Sequence, residues 1–105
     1  MLIYKILLPA EWAEFEAAGR FDGSPLDRQD GFIHLSTREQ VAATAGRFFA
    51  GEPELVILAV DAGAVQEALR WESGFPHVYA SLPRAAVTAV HRITDPATVD
   101  DRLPR

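Results

Sequence analysis

The chain contains no cysteine, which excludes disulfides, thiolate metal ligands and a thiol nucleophile. Basic residues are the minority: 10 Lys and Arg stand against 15 Asp and Glu, for a net charge of -5. Sequence-independent binding to duplex DNA depends on neutralising many phosphates, so this balance argues against it. No apolar run approaches the roughly 20 residues a membrane-spanning helix requires. A basic N-terminal segment followed by a long apolar stretch is also missing, so a cytoplasmic protein without membrane insertion is expected. No strand leads into a glycine-rich phosphate fingerprint, which removes the usual Rossmann and P-loop sites.

What is present fits a folded protein of modest size: 105 residues, 49% apolar and 24% charged, enough for one core. A single domain over residues 1–93 with a polar tail over 94–105 is expected. "LIYKILL" (Leu2 to Leu8) reads as a strand, and Pro9 suits the first turn of a helix that Gly19 ends. Trp12, Phe15 and Ala18 give that helix one apolar face. "RFDGSPLDRQDG" is rich in Gly, Pro and Asp and reads as an irregular loop. Ser36 and Glu39 have capping-box spacing, which predicts a helix from Thr37 to about Phe49 with Val41, Ala45, Phe48 and Phe49 buried. "ELVILAV" reads as a buried strand, with Asp61 capping a brief helix through about Leu69. "RWESG", "FPHVYA" and "AVTAVHRI" read as further extended segments. Alternation early and strands late predict an α+β fold with a split, mainly antiparallel sheet and two to three helices.

The chemistry concentrates in two of these segments. In "DGFIHLST" successive side chains alternate, so Phe32, His34 and Ser36 share one face while Ile33 and Leu35 take the core. His34 then stands at a strand end beside a helix N-terminus, a place for a polar ligand. In "FPHVYA", His77 and Tyr79 share a face. With Ser36, Thr37, Trp71 and Glu72 these residues make a site inventory, because imidazoles and hydroxyls orient a polar ligand and aromatic faces stack on a planar one. His91 reads as a structural residue of the last strand. The three histidines lack zinc-helix spacing, so no metal is expected. "HLS" matches half of a paired His-x-Ser/Thr grip on a cyclic phosphate, but "HVY" fails at the hydroxyl position.

Together, "IYKI", the first-helix Trp, "GFIHLST", the strand ending "VD", the "WE" pair and "FPHVYASLP" resemble family 952 of the domains of unknown function, from about Leu2 to Ile93. The resemblance implies a fold similar to the catalytic domain of ADP-ribosyltransferases, which holds NAD in a cleft. On that analogy His34 would hydrogen-bond the nicotinamide-side ribose, Ser36 and Thr37 would neighbour the ligand, and Tyr79 or Trp71 would stack on nicotinamide. His77 would be a second polar contact, and Glu72 or His77 would stabilise charge or move a proton. The pattern departs in the last strand, which has no acid where protein-modifying transferases keep a glutamate. RNA 2'-phosphotransferases of the same broad fold work with histidine and arginine, so Arg84 or Arg92 would contribute to such chemistry. The expected function is binding of NAD or an ADP-ribose-like nucleotide, with cleavage or transfer at the nicotinamide ribose. The alternatives are a non-catalytic small-molecule or protein-binding module and a metal-free cyclic-phosphate phosphoesterase.

Overall fold

The computed structural model describes residues 1–105. The opening β-forming run becomes β1 (Leu2–Leu7), and the apolar run after the midpoint becomes β4 (Leu55–Asp61). The short pieces between them include β2 (Arg20–Phe21) and β3 (Ile33–His34). Downstream lie β5 (Leu69–Glu72), β6 (Phe75–Val78), β7 (Leu82–Pro83) and β8 (Val87–Ile93). They form three antiparallel sheets, ordered β1-β4-β8, β2-β7 and β3-β6-β5. This is the α+β architecture with antiparallel sheets that the sequence pattern predicts. It has four α-helices where two to three were expected, because the short helices at Pro25–Asp30 and Val99–Arg102 lie in segments that read as loop and tail.

β4 is central and buried on both faces, which is why it is continuously apolar rather than alternating. Val56, Leu58 and Val60 join Ile3, Leu7, Trp12 and Phe15 in one core. Leu55, Ile57 and Ala59 join Tyr4, Ile6, Val41 and Ala45 in a second core across the sheet. Helix α1 (Pro9–Ala18) begins on proline, has the Glu11 carboxylate accepting from the Leu8 N–H (2.9 Å), and ends at Gly19 with φ 78°. Trp12 and Phe15 are buried, but Ala18 is exposed because the last turn runs past the core.

Four expectations need correction. The presumed irregular loop contains β2 and a helix, α2 (Pro25–Asp30): Ser24 caps it, and Asp27 reaches back to the Ser24 N–H at 2.9 Å. Pro25 opens this helix instead of breaking it. The second correction concerns the helix after "FIHLS", α3, which spans Val41–Phe48. Ser36 stays extended and exchanges backbone hydrogen bonds with Tyr4, so the capping reciprocity falls one residue later, between Thr37 and Gln40. Third, Phe48 is 64% exposed; Val41, Ala45 and part-buried Phe49 cover the second core. The helix predicted after Asp61 is a 3-10 stretch, Ala62–Ala68, capped by Asp61 as expected.

The fourth correction is the tail. Residues after Ile93 form a 3-10 turn, Pro96–Thr98, and helix α4 (Val99–Arg102). Val99 and Leu103 are buried in the second core, and the Arg38 guanidinium donates to Asp100 and to the carbonyls of Asp100, Leu103 and Pro104. Only Pro96, Val99 and Leu103 are buried among twelve residues, so the segment's composition reads as polar.

Candidate functional site

The β5–β6 hairpin turns at Ser73 (φ 52°) and Gly74 (φ 81°), and β6 also pairs with β3. The register sets Ile33 opposite Val78 and His34 opposite His77. Ile33 and Val78 face the core, which turns both histidines outward. On β5, Arg70 lies opposite His77 and Glu72 opposite Phe75, so these residues share the histidines' face. Pro76 is accommodated in the middle strand at a position that pairs with Trp71, and its carbonyl accepts from the Leu35 N–H.

Phe32 is the hub of that face. Its ring centroid lies 4.6 Å from His34, 4.1 Å from His77 and 5.2 Å from Tyr79, and the two imidazoles are 5.6 Å apart. Glu72 Oε1 accepts from His77 Nδ1 (2.8 Å) and from the Tyr79 hydroxyl (2.7 Å). Those two donors, Tyr79 first, hold the Glu72 carboxyl below its usual range, and the same bond pushes the Tyr79 hydroxyl up. His77 Nδ1 is thereby committed to Glu72, which leaves Nε2 as the ring's second nitrogen. Beside Phe32 and Tyr79 opens a shallow depression of about 350 Å³, whose lining includes Asp22, Arg28 and Ser81.

Behind His34 lies a buried polar cluster. Lys5 alternates with Ile3 and Leu7 along β1 and so points into the first core, where Nζ donates to both Asp27 oxygens (2.9 and 3.2 Å) and to the His34 carbonyl. Asp27, 2% exposed, also accepts from the Ser24 and His34 N–H groups and from His34 Nδ1 at 2.7 Å. Burial pushes the Asp27 carboxyl up, but Lys5 and the hydrogen bonds outweigh it, and Asp27 sits below the usual carboxylate range. Burial also lowers the Lys5 ammonium, against the pull of Asp27. His34 Nε2 faces Asp30 at 2.9 Å, so both its nitrogens meet carboxylates.

Of the seven expected site residues, the fold brings together His34, His77, Tyr79 and Glu72. Ser36 is buried and its hydroxyl donates to Thr44 Oγ1 on α3, while Thr37 is engaged with Gln40. Trp71 is 48% exposed on the opposite face of the hairpin from His77. His91 is half-buried on β8, opposite Ile57. Sequence reasoning passed over Asp27 and Lys5, whose signals were a helix-cap acid and a single lysine inside an apolar strand. It placed Phe32 on the right face without giving it a role, and it missed Arg70. No group of three or more His, Cys, Asp or Glu side chains is disposed to hold a metal ion. No helix is long and apolar enough to cross a membrane.

These features describe an α+β protein with an aromatic and imidazole platform on one small antiparallel sheet. The chain belongs to the family described as "Protein of unknown function (DUF952)", whose model matches residues 6–90. Two solved structures of protein CC0527 from Caulobacter crescentus are similar to it. The crystal structure is 48% identical, with a TM-score of 0.84, 88% of this chain covered and 85% of that one. The solution NMR structure is 44% identical, with a TM-score of 0.82 and 95% of each chain covered. No curated protein matches the chain.

Proposed function

We propose that the outward face of β3, β6 and β5 binds an NAD or ADP-ribose-type nucleotide, in the manner of the ADP-ribosyltransferase-like fold that the family resemblance implies. The observation that carries the reading is the meeting of His34 and His77 across one strand pair, with Phe32 against both. An aromatic surface of Phe32 and Tyr79 beside the Glu72 carboxylate suits a flat cationic ring such as nicotinamide in NAD. The His77 Nε2 nitrogen is left to meet a ribose hydroxyl, and the adjoining depression offers Asp22, Arg28 and Ser81 to the rest of the ligand.

The reaction suited to this arrangement is hydrolysis at the ribose C1'. The C1'–N bond would break with its electron pair passing to nicotinamide, Glu72 would face the positive charge developing at C1', and His77 Nε2 would accept the proton of the attacking water. A binding module without turnover is the second reading. Two observations favour it: Glu72 Oε1 is already engaged by two donors, and β8 carries no acid.

The test is a titration of isotope-labelled protein with NAD, ADP-ribose and nicotinamide, followed through backbone amide shifts. Shifts clustered on residues 31–37 and 75–81 and lost in Tyr79→Ala support the reading; no shifts at millimolar ligand overturn it. Chromatographic detection of released nicotinamide then separates the enzyme from the module.

A further inference from the structure

The sheet that carries the site ends at β5, whose outer edge pairs with nothing in the chain. On its inner side the Tyr79 N–H donates to the Ala68 carbonyl. The antiparallel ladder therefore aims the backbone groups of Arg70 and Glu72 at β6, and those of Leu69 and Trp71 at the open edge. Trp71 stands there with almost half its surface in solvent. No proline or bulge interrupts this edge, and its four residues carry one basic and one acidic side chain, Arg70 and Glu72.

We propose that β5 is the docking edge for β5 of a second copy of this chain, paired antiparallel about a two-fold axis through Trp71. The sequence Leu69-Arg70-Trp71-Glu72 is self-complementary in this register alone. Trp71 meets Trp71 of the partner subunit as a pair exchanging both backbone hydrogen bonds, and the two indoles lie side by side on the face away from the histidines. Arg70 falls directly opposite Glu72 of the partner subunit, and Glu72 opposite the partner subunit's Arg70, so both cross-strand pairs join opposite charges. Sliding one strand by two residues, the next register that keeps the backbone hydrogen bonds, sets Glu72 against a second Glu72 or Arg70 against a second Arg70. In the single chain the Arg70 guanidinium folds back onto the Glu67 and Leu69 carbonyls. Docking releases it, because the Leu69 carbonyl then belongs to the new ladder.

The pairing acts on the site as well as on the assembly. Glu72 is the residue that His77 and Tyr79 share, and Arg70 of the partner subunit reaches it from the side that is open to solvent in one chain. The six strands become one continuous sheet with two Phe32 platforms on the same face. The β5 edge is open to a second copy whether or not the platform binds a nucleotide.

Sedimentation equilibrium of the full chain tests it. The wild type is expected at twice the monomer mass at tens of micromolar. Arg70→Glu and Glu72→Arg, each of which creates two like-charge pairs, are expected to return to monomer, and the double swap Arg70→Glu/Glu72→Arg to dimerise again. In a chain with no native cysteine, Trp71→Cys offers a second reading. Hydrogen-bonded antiparallel partners have Cα atoms about 5.5 Å apart, within disulfide range, so Cys at 71 should cross-link under mild oxidation much faster than Phe48→Cys on α3. A monomeric wild type at hundreds of micromolar overturns the proposal. So does a dimer indifferent to Arg70→Glu, or equal cross-linking from both positions.

Discussion

Replacing Asp27 with Asn removes the charge on which the back of the site is assembled while preserving its shape. The Asp27 carboxylate accepts five hydrogen bonds, from Lys5 twice, from the Ser24 and His34 N–H groups and from His34 Nδ1. An asparagine has one acceptor oxygen, so its NH2 group must face either the Lys5 ammonium and Ser24 N–H or the two His34 donors. Lys5 is left as a buried charge without a counter-ion. Breaking a buried pair from one side costs about 3–5 kcal/mol, a large share of the ~5–15 kcal/mol that holds a domain together. The midpoint of thermal unfolding should fall by roughly 20 °C, at about 5 °C per kcal/mol for a domain of this size. Urea denaturation followed by tryptophan fluorescence measures the loss directly, because Trp12 is packed in the same core. The double variant Lys5→Met/Asp27→Leu should recover much of it, since an apolar pair is often as stable as a buried ionic one. A loss below about 1 kcal/mol in Asp27→Asn would show that the Lys5–Asp27 pair is not the buried, unshielded contact described above.

The same carboxylate sets an acid limit. Its ionised form is favoured in the folded state, so its contribution to stability is complete above its ordinary value of 3.8 and drains away as the pH falls through the lower folded value. Wild-type stability should therefore drop below about pH 4 more steeply than that of Asp27→Asn, and parallel curves would refute the assignment. Tyr79→Phe deletes the principal donor to Glu72, so carboxyl NMR titration should find Glu72 moved up toward its ordinary 4.5; an unchanged Glu72 would mean that Tyr79 does not hold it. Leu103→Ala should cost about 2–5 kcal/mol in chemical denaturation, as for other buried leucines. A change within ±0.5 kcal/mol would be the behaviour of a polar tail.

Much of the fold was legible because the signals were local. "LIYKILL", "ELVILAV" and "AVTAVHRI" declared their strands by apolar content, and Gly19 and Asp61 marked a helix end and a cap. The alternation in "DGFIHLST" correctly turned Phe32 and His34 to one face. What failed depended on partners distant in sequence. Ser36 left its expected role because Tyr4, 32 residues earlier, claims its backbone. Trp71 resembled a stacking residue until the pairing with Pro76 fixed its face. Asp27 looked like one acid in a polar loop, and only the placement of Lys5 inside β1 shows that it is the centre of a buried cluster.

The two-sided burial of β4 has a consequence for biogenesis. One face of the central sheet is closed by residues up to Val90, chiefly α1 and the segments around β3 and β6. The other depends on Val99 and Leu103 as well as α3. On the ribosome, where chains emerge from the N-terminus onward, the second face of Leu55, Ile57 and Ala59 stays incompletely covered until Leu103 has left the exit tunnel. Nascent chains of this protein should accordingly engage holdase chaperones until α4 has emerged, with release timed by that helix.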